Sequence, residues 1–317
     1  MGHDKGKHDK KKGNNGRHNH NHHGDNAADG PSVDVAEPEK SVGDGTPEPD
    51  YPRYRVEPRE LVRLKDIDPD EHENYKDEED TLDELHKQLK RIGKLQERLY
   101  AESKQSLLIV LQAMDTGGKD GTIRGVFDGV NPEGCQVWSF KAPTPEELAH
   151  DFLWRIHQKT PERGMINIFN RSHYEDVLVV RVHELVPQSV WEKRYDLINN
   201  FELLLHENNT TIIKFYLHIS REEQKERLEA RRDTPDKQWK FHASDLVERA
   251  RWDDYMLAYE DAINKCSTEF APWYLIPANK KWYRNVVIAR TIADTLEAMD
   301  PRFPSPEENI DNIVIPD

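Results

Sequence analysis

The chain has 317 residues, and its 60 Asp and Glu outnumber its 45 Lys and Arg to give a formal net charge of -15 at pH 7. That length supports one large or two modest hydrophobic cores, while the acidic balance argues against general nucleic-acid binding. No apolar run approaches the roughly 20 residues that a membrane helix needs, and no signal peptide opens the chain. We therefore expect a cytoplasmic protein that binds neither nucleic acid nor a membrane.

Residues 1–50 differ in composition from everything that follows. They contain no aromatic residue and no apolar periodicity, so they cannot bury enough surface to offset the entropy of folding. We predict a disordered tail over these residues. Its His18, His20, His22 and His23 form a cluster able to bind Zn²⁺ or Ni²⁺; a solvated polar tail, or a segment added for expression, is the alternative.

Residues 51–105 form an N-terminal extension in which a polar stretch precedes one amphipathic helix. The helix is predicted from apolar residues that recur at spacings of three and four. These residues are Leu82, Leu85, Leu89, Ile92, Leu95, Leu99 and Tyr100. We expect this apolar face to pack against the core of the protein; a dimer contact is the alternative.

The stretch from Ser106 to Thr122, SLLIVLQAMDTGGKDGT, predicts a buried strand, a glycine-rich turn and the start of a helix. In a phosphate loop, such a turn closes its backbone N–H groups around an anion, and a lysine reaches the outer phosphates. Lys119 fits that pattern, although Ala113 replaces the first glycine and Asp120 replaces the hydroxyl residue. A plain glycine turn between a strand and a helix is the alternative.

Asp115 adds a carboxylate inside the same loop, close to the lysine. Mg²⁺ prefers oxygen ligands and commonly uses one or two carboxylates together with substrate phosphates. We therefore predict that the loop binds phosphate and Mg²⁺ and serves phosphoryl transfer.

Beyond the loop, strand-like and helix-like segments alternate. The predicted strands are residues 136–140, 165–169, 210–219 and 273–276, and the predicted helices are residues 145–158 (capped by Thr144), 189–207, 222–232 and 282–299. This alternation predicts an α/β fold with a parallel sheet and helices on both faces, in which ligands lie beyond the carboxyl ends of the strands. The Lys119 loop lies at such an end.

A second polar segment follows the next buried strand. Phosphate-loop enzymes commonly carry a Mg²⁺-binding aspartate at this place, but this chain has Asn170, a weaker neutral ligand. Arg171 is expected to neutralise phosphate oxygens, and Glu175 and Asp176 to restore the missing negative charge. His173 is expected to be a neighbour of the site without acting as acid or base, because phosphoryl transfer depends on positioning and electrostatics. A polar loop that only caps a helix is the alternative.

A third segment, ERLEARRDTPDKQWKFHASDLVERARWDDY, is rich in cations. Its basic residues are Arg227, Arg231, Arg232, Lys237, Lys240, Arg249 and Arg251. Polar helical hairpins between strands often act as lids that exclude water and bring cations to the transferring phosphoryl group. We predict a lid over about residues 231–270, with Arg231 and Arg232 at its hinge; the interleaved acidic residues leave a solvated charged helix as the alternative.

These segments together resemble the polyphosphate kinase 2 family. The motifs that carry the resemblance are LLIVLQAMDTGGKDGTIRGVFDGVNPEG, SFKAPTPEELAHDFLWRIH, INIFNRSHYEDVLVVRVHELVP, KRYDLINNFE, DKQWKF and STEFAPWYLIPANKKWYRN. Several motifs in order are far more specific than a single loop, and they extend over residues 51–303. The resemblance implies a thymidylate-kinase-like phosphate-loop fold, with a kinase core over residues 106–303 and a C-terminal tail over residues 304–317.

The resemblance also implies an activity, the Mg²⁺-dependent transfer of the terminal phosphoryl group between inorganic polyphosphate and a nucleotide, with Mn²⁺ as a substitute ion. The RSHYE form, with Glu175, is similar to the subgroup that accepts nucleoside mono- and diphosphates and favours making ADP and ATP. The partners implied are polyphosphate and adenine or guanine nucleotides, and we expect a homo-oligomer. An ATP-dependent nucleoside monophosphate kinase is the first alternative, and a non-enzymatic phosphate- or metal-binding protein is the second.

The resemblance assigns roles to residues of all three segments. Asp115 would bind Mg²⁺ and help to activate the acceptor phosphate, Lys119 would hold the transferring phosphoryl group, and Arg171 would contact phosphates. The lid residues Arg231 and Arg232 would complete the catalytic set. The phosphate- and substrate-binding residues would be Gly117, Gly118, Asp120, Gly121, Thr122, Glu175, Lys237 and Lys240, with Asn170 as a second candidate metal ligand. The family usually has Ala at the position of Gly117, which is expected to loosen the backbone.

Overall fold

The computed structural model describes residues 54–306, 313, 315 and 316, and these residues belong to one compact unit. The tail predicted over residues 1–50, with its histidine cluster, lies outside the described residues, as does most of the predicted C-terminal tail. The domain boundaries drawn from the sequence therefore stay predictions.

A five-stranded parallel sheet forms the centre of the fold. Its strands are β1 (Ser106–Gln112), β2 (Cys135–Ser139), β3 (Ile166–Asn170), β4 (Thr210–His218) and β5 (Trp273–Pro277). They lie in the order β2-β3-β1-β4-β5, and all neighbouring pairs are parallel. Every residue of β1 is buried, which agrees with its unbroken apolar run, since a central strand of a parallel sheet is covered on both faces. The predicted α/β fold is confirmed.

Helices precede the first strand, connect the strands and follow the last one. They are α1 (Glu79–Glu102), α2 (Lys119–Val126), α3 (Pro145–Leu148), α4 (Trp154–His157), α5 (Val179–Val182), α6 (Gln188–Trp191), α7 (Arg194–Glu207), α8 (Arg221–Asp233), α9 (Ser244–Ala250), α10 (Trp252–Cys266) and α11 (Lys281–Ala298). Short 3₁₀ helices cover Leu64–Asp66, Pro132–Gly134, His173–Asp176 and Pro235–Lys240. Within the part of the chain that the structure describes, none of these helices is both long and apolar enough to cross a membrane.

Two predicted helices are each divided in the structure. Residues 145–158 contain α3 and α4, and residues 189–207 contain most of α6 and all of α7. Thr144 caps the first of these segments as predicted, in a capping box. The chain leaves the helical path before α4 because Asp151 Oδ1 accepts the Leu153 N–H at 3.0 Å, and such a local bond competes with helical hydrogen bonds.

The N-terminal extension packs against the rest of the folded unit, as its apolar stripe predicted. α1 lies along α11 and buries Ile92, Leu95 and Leu99, whereas Leu82 and Tyr100, near the two ends of the stripe, are 41% and 44% exposed. Chain preceding α1 also joins the sheet edge, because Val56 N–H donates to Trp273 O at 2.8 Å and Leu275 N–H donates to Tyr54 O at 2.8 Å. The extension is therefore part of the same folded unit.

Candidate active site

The polar residues predicted for the site gather at the carboxyl edge of the sheet. β1, at the centre of that sheet, runs directly into the phosphate loop, residues 113–118, and then into α2. Residues that follow β2 and β3, together with residues of α8, the 3₁₀ helix Pro235–Lys240 and α11, join the loop to line one open cleft of about 1020 Å³. The cleft lies where parallel sheets place their ligands.

The phosphate loop turns through backbone conformations that favour glycine. Gly118 has φ 106°. Gly117 donates its N–H to Met114 O at 2.9 Å, and a Cβ at Gly117 would lie 2.8 Å from the same carbonyl and 2.5 Å from Ala113 Cβ. In this conformation the residue at 117 must be glycine unless the loop shifts, so this glycine fits a tight turn and does not loosen it.

Lys119 is the first residue of α2, and its side chain lies under the loop. The residue is 9% exposed, and Nζ donates to Ala113 O at 2.8 Å. Burial lowers the pKa of Lys119 to about 8, and the nearby Arg171 cation adds to the effect. The ammonium group is therefore shielded from water, and a phosphate bound beside it would stabilise its charged form.

Two polar contacts tie the end of β3 and the residue after it to the phosphate loop and the start of α2. Arg171 Nη2 lies 2.6 Å from Asp115 Oδ1, and Asn170 Nδ2 donates to Asp120 Oδ1 at 2.7 Å. Burial by itself would lower the pKa of Arg171, but the carboxylates of Glu175 and Asp115 outweigh that effect and raise it. We call Asp115, Lys119, Asp120, Asn170 and Arg171 the carboxylate wall of the cleft.

Arg227, on α8, braces the phosphate loop from the other side. Its Nη1 donates to the carbonyls of Thr116 and Gly117, both at 3.2 Å, and its Nη2 donates to Ala278 O at 2.6 Å. Glu223 Oε1 accepts from Nε at 2.6 Å. One guanidinium thus connects the loop after β1 with the turn after β5.

Arg284, on α11, lies beside Arg227. The residue is 2% exposed, and its Nε and Nη2 donate to Asn285 Oδ1 at 3.2 and 2.9 Å. Its Nη1 has no hydrogen-bond partner among the described residues, and a Cβ at Gly118 would lie 2.0 Å from that atom. Burial, reinforced by the Arg227 cation, lowers the pKa of Arg284 to about 9.

Two lysines extend this cationic side. Lys281 precedes Arg284 by one helical turn, and burial lowers its pKa, with the cations of Arg227, Arg284 and Lys237 adding to the effect. The second lysine is Lys237, in the 3₁₀ helix Pro235–Lys240, and both lysines line the cleft together with Arg227 and Arg284. We call Arg227, Lys237, Lys281 and Arg284 the cationic wall.

Part of the segment predicted as a lid lines the cleft. Arg231, Lys237, Trp239 and Lys240 all line it, and Trp239 is 73% exposed. Arg231 Nη1 lies 3.7 Å from Asp245 Oδ2, across the cleft-lining turn. The last helix of the predicted lid, α10, buries one side in the hydrophobic core.

Three predicted site residues lie outside the cleft lining. Arg232 points into solvent and pairs with its neighbour Asp233, with Nε 2.7 Å from Oδ1. Thr122 is buried, and its Oγ1 donates to Gly118 O at 3.2 Å. Glu175 lies behind the carboxylate wall, where it accepts from Gln112 Nε2 at 3.0 Å. Thr122 and Glu175 therefore contact the site from outside the cleft, whereas Arg232 does not reach it.

His173 also faces away from the cleft. It is fully buried, and its Nε2 lies 3.0 Å from Glu202 Oε1. Glu202 in turn contacts Lys214 and accepts from Tyr174 Oη at 2.9 Å. This buried network anchors the 3₁₀ helix after β3 and holds the His173 side chain away from the cleft.

Sequence reasoning missed the contribution of α11. Lys281 and Arg284 lie three residues apart, which puts them on one helical face directly after β5 ends at the carboxyl edge. The sequence analysis gave Arg227 only as one of several basic residues of the third segment. Its spacing of four from Arg231 places the two side chains on the same face of α8, away from Arg232. The helical spacing of the cations was the signal in the sequence that could have shown which of them share one face.

The donor set of the carboxylate wall fits a hard cation. Asp115 and Asp120 both line the cleft, and their partners there are amide or guanidinium groups. Among the described residues, no three His, Cys, Asp or Glu side chains converge on one metal position. Mg²⁺ commonly binds to one or two carboxylates and completes its shell with substrate phosphates and water, which matches this arrangement.

Comparison with known proteins gives consistent matches over the described core. The family model described as Polyphosphate kinase 2 matches residues 75–304. An AMP/ADP-polyphosphate phosphotransferase of Meiothermus ruber is 54% identical over 264 residues, which cover 83% of this chain and 99% of that protein. An ADP-polyphosphate phosphotransferase of Rhodopseudomonas palustris is 48% identical over 242 residues, covering 73% and 84% of the two chains.

A solved structure agrees with these matches. The crystal structure of polyphosphate kinase 2 from Arthrobacter aurescens superposes with a TM-score of 0.79 at 44% identity. The superposition covers 82% of this chain and 93% of that one. Sequence and fold therefore point to the same group of proteins.

Proposed function

The chain belongs to the polyphosphate kinase 2 family, and we propose that it transfers the terminal phosphoryl group of inorganic polyphosphate to a nucleoside mono- or diphosphate. The products would be ADP from AMP and ATP from ADP, and the reaction is reversible in principle. The observation that carries this proposal is the buried Lys119 beneath the phosphate loop, facing a cleft that Asp115 and Arg171 also line. The names of the two curated relatives support the choice of substrates.

The side chains of the carboxylate wall would act by position and charge. Phosphoryl transfer spreads negative charge over the moving group, and the protein supplies fixed positive groups to balance it. Lys119 would hold the transferring group from beneath the loop. Arg171, now 2.6 Å from Asp115, would turn toward phosphate oxygens when the substrates enter.

Asp115, with Asp120 beside it, would hold Mg²⁺ or its substitute Mn²⁺. When bound, such an ion would supply positive charge that offsets the negative charge of the phosphates. Asn170 is tied to Asp120 through its amide nitrogen, so its role as a further ligand depends on how that bond rearranges. Glu175 would set the orientation of Arg171 from behind.

We also propose that the protein acts in the cytoplasm as a homo-oligomer, without nucleic-acid or membrane partners. Its two cysteines, Cys135 and Cys266, are free, which suits a reducing compartment. Its nucleotide substrates are intracellular metabolites. Size-exclusion chromatography with light scattering would measure the oligomeric state.

The decisive assay combines purified protein, Mg²⁺, ADP and polyphosphate with no other phosphate source. ATP should accumulate, and AMP in place of ADP should yield ADP first and ATP later. Omitting polyphosphate, or adding a chelator, should abolish both products. Turnover of ATP with AMP that is indifferent to polyphosphate would instead identify an ordinary nucleoside monophosphate kinase and refute the proposal.

A further inference from the structure

The backbone of the phosphate loop takes an unfavourable conformation directly after Asp115. Thr116 has φ 63°, in the left-handed region that residues with a β-branched side chain rarely adopt. Such a conformation persists only where the surrounding structure holds it in place. Because Asp115 precedes this turn, the direction of its side chain depends on groups outside the loop that keep the turn in shape.

Two side chains of α8 hold the turn. Gln224 is fully buried, and its Nε2 donates to Asp115 O at 3.0 Å. Arg227 donates from Nη1 to the next two carbonyl oxygens of the loop, both at 3.2 Å. Gln224 and Arg227 are three residues apart, so they lie on one face of the helix. Three successive carbonyl groups of the loop are thus held by one helix.

The other end of the Gln224 amide is held by the segment predicted as a lid. Arg249, on α9, donates from Nη1 to Gln224 Oε1 at 2.9 Å and to Arg221 O at 2.7 Å. An arginine only donates and a backbone carbonyl only accepts, so one orientation of the amide satisfies both of its neighbours. A continuous chain of hydrogen bonds therefore runs from α9 through α8 to the phosphate loop.

The helix that carries Arg249 also forms part of the cleft lining. Asp245 precedes Arg249 by four residues and so lies on the same face of α9. It is 8% exposed, lines the cleft and has its Oδ2 3.7 Å from Arg231 Nη1. Burial raises the pKa of Asp245, and the nearby carboxylate of Asp115 adds to the effect. The position of α9 is therefore linked to the cleft by its lining and to the loop by Gln224.

We propose that Gln224 is a positioning residue that couples α9 to the phosphate loop. Docking of α9 through Arg249 orients the Gln224 amide, and the amide fixes the Asp115 carbonyl and with it the direction of the Asp115 carboxylate. For the metal ion this inference rests on the proposed function, which assigns that carboxylate to Mg²⁺. Loss of either hydrogen bond of the amide lets the loop leave its strained turn more often.

The first test follows the loop in the absence of metal and substrates. Hydrogen–deuterium exchange, read by mass spectrometry, reports on the amides of residues 113–122 in wild type, Gln224→Met and Arg249→Met. Exchange there should be about 3- to 10-fold faster in both variants, the effect of losing one buried hydrogen bond. Arg249 makes no hydrogen bond with residues 113–122 in the described structure, so its effect on them must pass through Gln224.

Arg251→Met is the matched control for Arg249→Met. Arg251 ties the same segment to α5, because its Nη1 donates to Val182 O at 2.7 Å, and it has no hydrogen bond to Gln224 or to the loop in the described structure. Its loss should leave exchange of residues 113–122 within about twofold of wild type, since it shares no partner with the loop. Equal increases in the two arginine variants would show that loosening the segment is enough, and would overturn the proposal.

A double variant tests whether Arg249 and Gln224 act in series. Gln224→Met/Arg249→Met should exchange residues 113–122 as fast as Gln224→Met alone, whereas independent effects would multiply. The ATP-forming assay then tests the link to the metal. Each single variant should raise the Mg²⁺ concentration for half-maximal activity about tenfold, a typical loss when a group that orients a metal ligand is removed. At saturating Mg²⁺, kcat should stay within about threefold of wild type because Asp115 itself is intact.

The outcomes separate this inference from the proposed function. Unchanged exchange in folded Gln224→Met, or multiplied effects in the double variant, would refute the coupling, and a lower kcat with unchanged Mg²⁺ dependence would refute the positioning of Asp115. Circular dichroism checks folding; if Gln224→Met does not fold, the partly exposed Arg249 carries the test against Arg251. Failure of the proposed function would appear as wild-type protein that makes no ATP from polyphosphate, and it would leave the exchange results as they are.

Discussion

The two walls of the cleft contain similar cations but neutralise them in different ways. On the carboxylate wall, Arg171 already contacts Asp115, and the cation of Lys119 is solvated by a loop carbonyl. On the cationic wall, Arg284 is buried against a neutral amide and a second guanidinium. Balanced charge suits a place where a metal ion and a moving phosphoryl group exchange partners, whereas excess positive charge suits a place that only has to hold an anion.

This difference implies that the two walls respond differently to substitution. Under the proposed function, the charged residues of the carboxylate wall act on the transferring phosphoryl group, so losing one of them should slow the reaction itself. Losing a charge from the cationic wall should weaken the hold on one substrate. The predictions below test that division, beginning with the largest effect.

Lys119→Ala and Asp115→Ala should each lower turnover by about two to four orders of magnitude, because each removes a charge that the proposed function assigns to the transferring phosphoryl group or to its metal ion. Steady-state kinetics with saturating ADP and polyphosphate measure the loss. Lys104→Ala, which alters an exposed lysine just before β1, is the control and should retain wild-type activity. Near-full activity in both site variants would show that the reaction does not depend on this wall.

Gly118→Ala should destabilise the protein by about 1 to 3 kcal/mol, because a Cβ there meets Arg284 Nη1 at 2.0 Å and the backbone has φ 106°. Gly121→Ala is the matched control. Its Cβ would lie 3.5 Å from Arg284 Nη2, an ordinary contact, and alanine favours the helix by about 0.5 to 1 kcal/mol. Urea denaturation of both variants measures the difference; equal stabilities would mean that Arg284 does not press against the loop.

The pH dependence of kcat/KM for polyphosphate should show a falling limb above about pH 8, because the free enzyme loses the Lys119 cation there. The decrease from about pH 7 to about pH 9 should be roughly tenfold for a single group. Folding stability should change in the opposite direction. The folded pKa of Lys119, about 8, lies below the usual lysine pKa of 10.5, so between these two pH values the unfolded chain binds more protons and stability rises with pH.

Lys119→Arg provides the control for that limb. It should move the fall in kcat/KM to higher pH, since arginine keeps its proton throughout this range. A limb that stays near pH 8 in this variant would assign the titration to another group.

Arg231→Gln and Arg232→Gln, at the start of the predicted lid, test the smallest expected difference in kcat/KM. Arg231 lines the cleft, so its loss should lower kcat/KM about 3- to 10-fold, a typical cost of one partly exposed charge contact. Arg232 faces solvent beside Asp233, and its loss should change kcat/KM less than about twofold. A larger effect of Arg232→Gln would mean that the lid closes in a way that carries this side chain inward.

The fold and the carboxylate wall were largely predictable because their signals are local. Alternating strands and helices gave the parallel sheet, and the loop between β1 and α2 is one continuous segment whose glycines and Lys119 stand next to each other. Helix ends were less predictable: the division of residues 145–158 depends on one side-chain bond of Asp151 to the Leu153 N–H, which competes with helical bonds.

The sequence by itself determined the family, the sheet, the phosphate loop and the residues that would act on the transferring group. Tertiary structure alone decided which cations reach the cleft. Arg284 arrives there because parallel strands end at one edge, so α11 and the phosphate loop meet although they are far apart in the chain. Arg232 is excluded because its neighbours at 227 and 231 occupy the inward face of α8. Helical spacing in the sequence relates these side chains to one another, but only long-range contacts decided which helix faces meet the cleft and so divided it into its two walls.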